Sequence, residues 1–266
     1  MPARPALITV MDKAARKAAP KIRRDFGEVS QLQVSRKGPS DFVSNTDREV
    51  EEIIHDVLSQ SRPEWGFLME ERGVIEGKEG EPRWIIDPID GTSNFIHSIP
   101  HFAISIAAEI RGEVVAGCVY QPLTDEFFWA ERGKGSFLHN RRLRVSSRRD
   151  LGDSIIATGV PYRGHGDLDS WNRQLTTIAP EVAGIRRFGS AALDLAWVAA
   201  GRFEGYWETN LSIWDVAAGV LLVREAGGFV TDYRGSEAKV MDGEIIAANG
   251  GLHSKLHKMV AGGLRR

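Results

Sequence analysis

Two aspartates, Asp87 and Asp90, follow the hydrophobic run "RWII" and are separated only by Pro88 and Ile89. Carboxylates three residues apart at the end of a strand can converge on one point, where they repel each other unless one is protonated or a cation is present. Mg²⁺ suits such a place because it binds oxygen ligands and is held by a few carboxylates together with substrate phosphate. The pair therefore indicates a magnesium site. The alternative is a turn in which Asp90 caps a helix.

The segment behind the aspartates, Gly91 to Asn94, reads "GTSN" and predicts the start of a helix. The first backbone N–H groups of a helix have no partner within it and bind anions such as phosphate. A metal in front of such amides is an arrangement suited to phosphoryl transfer, since it neutralises the charge on the transferred group. The stretch therefore predicts a phosphate site beside the magnesium site.

Acidic residues also end two other apolar segments. Glu70 and Glu71 follow the run "GFLM", and Asp215 stands at the start of the apolar helix predicted from "WDVAAGVLLVREAG". Asp215 alone could be an ordinary helix cap. Three acidic groups that each end a hydrophobic element fit one shared site better than three unrelated positions. We therefore predict that Glu70 and Asp215 join Asp87 and Asp90.

Hydrophobic spacing predicts two helices near the start of the chain. Apolar residues recur at steps of three and four over residues 7–22, which is the period of an amphipathic helix, and Pro20 is expected to kink or end it. Thr46 with Glu49 three residues later forms a capping-box pattern that predicts the start of a second helix. The glycine- and charge-rich segment 73–83 is predicted to be a surface loop.

The period of the pattern changes at residue 83. Four strand-like runs broken by turn residues lie between residues 83 and 132, and they predict an antiparallel meander. Beyond residue 150, helical and strand-like segments alternate, which predicts a layered α/β arrangement. We interpret residues 1–266 as one domain with two parts, approximately 1–140 (helices and an antiparallel sheet) and 141–266 (alternating helices and strands).

The composition excludes several other classes of protein. With 34 basic and 36 acidic residues, the chain has no large positive excess, so nucleic acid is not an expected partner. We interpret the basic run 141–149 as a solvated face. Cys118 is the single cysteine, which rules out a disulfide framework, and its apolar neighbours predict a buried strand residue. No apolar run approaches the ~20 residues of a membrane span, and no secretory signal is apparent, so we expect a cytoplasmic protein without membrane contact.

The acidic motifs together resemble those of the inositol monophosphatase family. They are "MEE", "WIIDPIDGTSNF" and "WDVAAG", with "DFVSNTD" upstream, and the resemblance covers nearly the whole chain, from "GPSDFVSNTD" to "EIIAANG". The family consists of Mg²⁺-dependent, lithium-sensitive phosphatases related to fructose-1,6-bisphosphatase. The resemblance implies a layered α-β-α-β-α sandwich of the α/β class with the site between the two parts, and a homodimer.

The resemblance also implies a set of metal ligands for two to three Mg²⁺ ions. Glu70, Asp87 and the backbone carbonyl of Ile89 would bind the first ion. Asp87 would bridge to a second ion that Asp90 and Asp215 also hold. A third, weaker ion would lie on Glu70 among water molecules. Lithium is expected to inhibit because it can compete for a small, oxygen-lined magnesium position.

The catalytic residues implied by the resemblance are Asp47, Thr92 and Glu70. Asp47 and the Thr92 hydroxyl would orient a metal-bound water as the nucleophile, and Glu70 contributes as a metal ligand. The backbone N–H groups of Gly91 and Thr92 would bind the phosphate. No covalent intermediate on the enzyme is needed.

The alcohol half of the substrate is expected to contact three residues. Asp90, the backbone amide of Ala191 and the Glu208 carboxylate correspond to positions that meet ring hydroxyls in inositol phosphatases. Without the resemblance, the sequence favours a surface acid at the end of a strand for Glu208.

The predicted function is therefore hydrolysis of myo-inositol monophosphate to myo-inositol and phosphate by a metal-activated water. The same site could act on fructose 1,6-bisphosphate, histidinol phosphate or adenosine 3′,5′-bisphosphate. A third hypothesis is a non-catalytic partner of the transcription or ribosomal RNA machinery, with the basic run 141–149 as the contact surface.

Four residues near the motifs have other interpretations. Met69 and Arg72 stand where many family members have glycine and serine. Arg72 could reach the phosphate or a neighbouring acid, and we interpret it as pointing to solvent. His97 and His101 follow the aspartate motif closely, and we interpret them as structural or surface residues.

Overall fold

The computed structural model describes residues 4–28, 34–38, 41–78, 82–162 and 166–264. The order of helices and strands changes along the chain where the hydrophobic period of the sequence changes. The helices are α1 Ala6–Gly27, α2 Asn45–Ser61, α3 Thr92–Ile96, α4 Leu168–Ile178, α5 Ala191–Ala199, α6 Ile213–Glu225 and α7 His253–Leu264. The strands are β1 Val34–Gly38, β2 Asp41–Ser44, β3 Gly66–Met69, β4 Gly73–Ile75, β5 Arg83–Asp90, β6 Ala103–Ile110, β7 Glu113–Gln121, β8 Glu126–Glu131, β9 Gly135–Leu138, β10 Arg141–Arg142, β11 Ile155–Thr158, β12 Gly184–Arg186, β13 Gly205–Glu208, β14 Phe229–Thr231 and β15 Ile245–Ala248.

The strands form two main sheets and one hairpin. The larger sheet has eight strands in the order β10-β9-β8-β7-β6-β5-β3-β4, and its central part is the predicted antiparallel meander of β5 to β8. The smaller sheet has the order β12-β11-β13-β15-β14, with β11 parallel to both of its neighbours. β1 and β2 pair with each other.

Both faces of the large sheet are covered, because successive side chains of a strand point to opposite faces. In β6, Ile104 and Ile106 enter a core shared with α1 and α2. Ala103 and Ala107 of the same strand enter a second core shared with α5 and α6. The large sheet therefore lies between two layers of helices.

The small sheet divides its side chains in the same way. Tyr206 of β13 belongs to the core that contains α5 and α6, whereas its neighbour Trp207 packs with residues of α4 and α7. The five layers are α1 and α2, the large sheet, α5 and α6, the small sheet, and α4 and α7. This is the predicted α-β-α-β-α sandwich. The boundary near residue 140 stays a prediction.

Tertiary contacts override two local sequence signals in the first layer. α1 continues through Pro20 to Gly27, since the burial of residues such as Ala19 and Ile22 outweighs the missing N–H. The expected end of the helix at Pro20 is therefore wrong. The capping box at Thr46 is also wrong: α2 already begins at Asn45, and the Thr46 hydroxyl donates to Asp25 of α1 at 2.7 Å.

Other predictions concern single segments. Cys118 is buried in β7, as predicted. The segment 73–83 is not all loop, because Gly73–Ile75 forms β4 at the edge of the large sheet, and residues 79–81 lie outside the described residues. The basic run is exposed at all five of its arginines, as predicted for a solvated face. Among the described residues, no helix is long and apolar enough to cross a membrane.

Candidate active site

A bulge in β5 turns its two aspartates to one side. Asp87 pairs with Ser105 of β6 and Asp90 pairs with Ala103, so three steps along β5 match two steps along β6. In a regular strand, residues three apart face opposite sides of the sheet. The one extra residue, beside Pro88, removes this difference. Both carboxylates therefore face the same place.

Asp215 reaches this place from α6 and completes a cluster of three carboxylates. One oxygen of each of Asp87, Asp90 and Asp215 lies within 4.8 Å of the others. The Ser105 hydroxyl, opposite Asp87 in the sheet, donates to the Trp214 carbonyl at 3.0 Å and so ties the first turn of α6 to β6. The predicted convergence of distant acidic motifs is found for these three residues.

Glu70 lies beside the cluster. It directly follows β3, and its backbone N–H donates to the Ile86 carbonyl of β5 at 3.2 Å. It lines the same cleft as Asp87, Asp90 and Asp215, and its charge is felt by all three carboxylates. The four predicted acidic ligands are therefore neighbours.

Backbone N–H groups fix the orientation of two of the carboxylates. Asp87 Oδ1 accepts from the Ile89 N–H at 2.9 Å, within the bulge itself. Asp215 Oδ2 accepts from the Ser212 N–H at 2.7 Å, as the third residue of its helix can. The N-cap of α6 is Ser212, so the interpretation of Asp215 as the helix cap is wrong; Asp215 supports the cap with one oxygen and also joins the cluster.

Asp90 is held by the start of α5. Its Oδ2 accepts both from the Ser190 hydroxyl at 2.6 Å and from the Ala192 N–H at 2.7 Å. The Asn94 side chain of α3 donates to the Phe188 carbonyl at 2.7 Å, which brings the loop before α5 against the aspartate motif. The sequence carries no signal for the role of Ser190, which lies 100 positions from Asp90, and Asn94 lies within the motif without a pattern that assigns its partner.

The electrostatics of the cluster call for a cation. Burial, followed by the charges of Glu70 and Asp90, raises the pKa of Asp87 well above its ordinary value. Burial and the charge of Asp90 do the same for Asp215. Burial raises the pKa of Asp90 to about 7, although its bonds from Ser190 and Ala192 oppose the shift. The donors are all oxygens, which fits a hard divalent cation such as Mg²⁺.

Thr92 connects the cluster to a buried acid. Its hydroxyl lies 3.1 Å from Asp47 Oδ1 and 3.1 Å from the Ile89 carbonyl, and it has one proton to donate. Asp47 is fully buried, whereas Thr92 lines the cleft. Gly91 precedes α3 with φ +100°, a conformation that glycine adopts without strain. The predicted pair of Asp47 and Thr92 is thus brought together, with Thr92 as the member that lines the cleft.

Glu208 lines the opposite wall of the cleft and is not a surface acid. The Tyr206 hydroxyl donates to its Oε2 at 2.6 Å, and burial raises the pKa of Glu208 to about 7. A Cβ at Gly159 would lie 1.8 Å from Glu208 Oε1, so the carboxylate fills the space that this glycine leaves. Ala191, the first residue of α5, lines the same cleft. The predicted substrate residues therefore surround one space of about 570 Å³.

Three residues near the motif lie outside this machinery. Arg72 is exposed to solvent, as interpreted, and its guanidinium also pairs with the exposed Glu52 at 3.3 Å. His101 is buried and its ring stacks on Phe188, as expected for a structural residue; burial lowers its pKa to about 4. His97 is exposed after the end of α3.

The fold and the site define a class of protein: a layered α-β-α-β-α sandwich with, at a strand end, a cluster of carboxylates that could hold a metal ion. The model of the inositol monophosphatase family matches residues 5–265. The chain therefore belongs to the inositol monophosphatase family, as its motifs predict, and the prediction of a phosphatase of this family is confirmed.

Individual relatives agree with the family assignment. An inositol-1-monophosphatase of Mesorhizobium japonicum is 53% identical over 258 residues, 97% of each chain. A protein of Vibrio cholerae named Nus factor SuhB is 44% identical over 243 residues, 91% of each chain. The crystal structure of extragenic suppressor protein SuhB from Bartonella henselae matches with TM-score 0.93 and 52% identity, covering 96% of this chain and 98% of that one. The predicted fold is confirmed.

Proposed function

We propose that this chain is a Mg²⁺-dependent phosphomonoesterase that hydrolyses myo-inositol monophosphate to myo-inositol and phosphate. The observation that carries the proposal is the convergence of Asp87, Asp90 and Asp215 to within 4.8 Å beside Thr92 and Glu208. The Mesorhizobium relative, at 53% identity, carries the name of this activity.

The cation site follows from the carboxylates. Mg²⁺ would be held by Glu70, Asp87, Asp90 and Asp215 with the Ile89 carbonyl, and we propose two to three ions. When bound, the ions supply Lewis-acid polarisation of the phosphate and neutralise the charge that develops on its oxygens. The orientation of Asp87, Asp90 and Asp215 by N–H groups prepares these ligands before any ion arrives.

The remaining residues of the site handle the phosphate and the proton. The N–H groups of Gly91 and Thr92 donate to phosphate oxygens at the start of α3. A water attacks phosphorus in line with the ester oxygen and passes its proton to Thr92 Oγ1 as the hydroxyl proton moves to Asp47. The bond from phosphorus to the ester oxygen breaks, and the alcohol leaves with a proton from solvent. Asp47 then releases its proton through Thr92 to solvent, which balances the proton taken up by the alcohol.

The alcohol half of the substrate lies towards Glu208. We propose that the Glu208 carboxylate and the Ala191 N–H bind ring hydroxyls, with Asp90 between them and the cations. The Tyr206 hydroxyl already donates to Glu208 Oε2 and thereby fixes the orientation of the carboxylate at the cleft. A polyol phosphate suits such a wall because a buried acceptor left unpaired is costly.

We expect Glu208→Ala to raise KM for inositol 1-phosphate by about ten- to a hundredfold, since a hydrogen bond to a charged acceptor is worth ~1.5–3 kcal/mol. KM and kcat for p-nitrophenyl phosphate, which has no ring hydroxyls, should stay within about twofold. Steady-state kinetics with both substrates measure the difference. Tyr206→Phe, which leaves the carboxylate in place, is the matched control and should show the same preference more weakly. Equal losses on both substrates would show that Glu208 does not read the alcohol.

The function itself is tested by phosphate release from a panel of esters. Purified protein with Mg²⁺ should release phosphate from inositol 1-phosphate with a higher kcat/KM than from fructose 1,6-bisphosphate, histidinol phosphate or adenosine 3′,5′-bisphosphate. No release from inositol 1-phosphate would end this proposal. Lithium sensitivity, a homodimer and a cytoplasmic location remain predictions, to be measured by inhibition, sedimentation and fractionation.

A second candidate function is a partner role in transcription or ribosomal RNA synthesis. A relative at 44% identity is named Nus factor SuhB, and the arginines of the run 141–149 are exposed here. We expect Asp87→Asn to abolish phosphate release, whereas a partner role would survive that change. Genetic complementation with this variant separates the two: rescue by the inactive protein supports the partner role, and failure to rescue supports catalysis.

A further inference from the structure

Glu51 is a fully buried carboxylate that the catalytic site does not explain. It lies in α2, and no part of it is exposed to solvent. Its Oε2 accepts from the backbone N–H of Glu71 at 2.8 Å, and its Oε1 accepts from the backbone N–H of Arg72 at 3.1 Å. Burying a carboxylate is costly unless its oxygens are well bonded, so its place here calls for an explanation.

The two N–H groups that Glu51 accepts belong to the turn that carries Glu70. β3 ends at Met69, which pairs with Gly73 of β4, and the three residues between them form the turn. Glu70 is held on the strand side by its own N–H, which donates to Ile86. Beyond Glu70 the chain leaves the sheet, and its next two N–H groups point to α2.

We propose that Glu51 is a positioning residue that fixes the turn 70–72 and thereby directs the Glu70 carboxylate to the cation cluster. The inference rests on the proposed function, in which Glu70 is a cation ligand. Glu70 lines the cleft and Glu51 does not. Glu51 can therefore affect the cation site only indirectly, through the backbone of this turn. It acts on the ligand as an outer-shell partner acts in other metal sites.

A carboxylate is suited to this task because of its two acceptor oxygens. Two adjacent backbone N–H groups diverge, and each oxygen of Glu51 takes one of them. A glutamine of the same shape offers one oxygen and one NH₂ group, and the NH₂ would face an N–H donor. Arg72 contributes in turn, with its Nε 3.9 Å from Glu51 and its Nη2 3.3 Å from Glu52, which places a positive charge near the buried acid.

The test is Mg²⁺ binding by Glu51→Gln, measured by calorimetry with the metal alone. We expect its affinity to fall by about ten- to a hundredfold, the range for loss of an outer-shell partner. In the metal-free protein, hydrogen exchange of the Glu71 and Arg72 amides should also become faster. Glu51→Asp, which keeps the charge but is one methylene shorter, serves if glutamine prevents folding, and the same fall is expected.

Asp25→Asn is the matched control. Asp25 is another buried carboxylate, 4% exposed, and it joins α1 to α2 through the Thr46 hydroxyl without contacting the turn. We expect this variant to lower the melting temperature but to bind Mg²⁺ as wild type does. The proposal is overturned if Glu51→Gln binds Mg²⁺ normally, or if Asp25→Asn weakens binding equally. A wild-type protein that binds no Mg²⁺ would instead refute the proposed function, and the positioning role with it.

Discussion

Asp90→Asn should hydrolyse inositol 1-phosphate about 10²–10³-fold more slowly than wild type, the usual loss when one preorganised electrostatic group is removed. Asp90 belongs to the carboxylate cluster and lines the cleft, so in the proposed function its charge acts on both the cations and the substrate. Asparagine keeps an oxygen that can accept from Ser190 and Ala192, and the fold should therefore survive. The measurements are kcat as a function of Mg²⁺ concentration and circular dichroism of the variant.

Asp194→Asn provides the control for this loss. Asp194 is another buried aspartate, 1% exposed, near the start of α5, but it does not line the cleft. Its replacement removes a buried acid from the same region and leaves all cluster carboxylates in place, and its link to the site is the charge that helps to raise the pKa values of Asp90 and Glu208. We expect its kcat to stay within about threefold of wild type, as for residues that touch neither substrate nor reacting atoms. Near-normal turnover by Asp90→Asn, or an equal loss in Asp194→Asn, would contradict the role of Asp90.

Asp90→Asn should also change how the stability of the metal-free protein depends on pH. The pKa of Asp90 is about 7 in the folded protein and 3.8 as its ordinary value. Between pH 3.8 and about pH 7, Asp90 keeps its proton in the folded chain and releases it in the unfolded chain. The free energy of unfolding therefore falls as pH rises through this range. Wild type in EDTA should therefore lose more stability between about pH 4 and pH 7 than Asp90→Asn does. Urea unfolding gives both curves, and parallel curves would show that Asp90 carries no raised pKa.

Most helices and strands could be predicted from the spacing of apolar residues, because alternation and helical spacing are local properties of the sequence. The meander from Arg83 and the alternation after residue 150 are examples. The predictions of a helix end at Pro20 and of a capping box at Thr46 were wrong because local preference there competes with the packing of α1 on α2. Edge strand β4 has only three residues and no clear alternation, so it looked like part of a loop.

The acidic residues of the cluster and their convergence were predictable from the motifs, but the local geometry that orients them was not. The bulge that turns Asp87 and Asp90 to one side depends on the register with β6, which no property of β5 alone specifies. The bond from Ser190 to Asp90 spans 100 positions, and the bonds to Glu51 span about 20. Such partners are chosen by the packing of separate elements, and a single sequence carries no local signal for them.

Asp47 also depends on packing for its contact with Thr92, which lies 45 positions away, and we expect its replacement to cause the second large loss of kcat. Asp47→Asn should lower kcat for inositol 1-phosphate by about 10²–10⁴-fold, the typical contribution of a proton acceptor. An asparagine oxygen can still accept a bond from Thr92, but it cannot take the proton at neutral pH. KM for Mg²⁺ and for substrate should change little, since Asp47 is buried beneath Thr92 and does not line the cleft. Steady-state kinetics measure all three constants.

Two changes at Thr92 test whether the pair acts as a unit. Thr92→Ser keeps the hydroxyl and should retain activity within about tenfold, whereas Thr92→Val removes it and should lose about as much as Asp47→Asn. Groups that act together give losses that do not add, so the double variant with Asn at 47 and Val at 92 should be little worse than either single variant. If the losses were additive, Asp47 would stabilise the site independently of the Thr92 hydroxyl, and the proton path from water through Thr92 to Asp47 would be wrong.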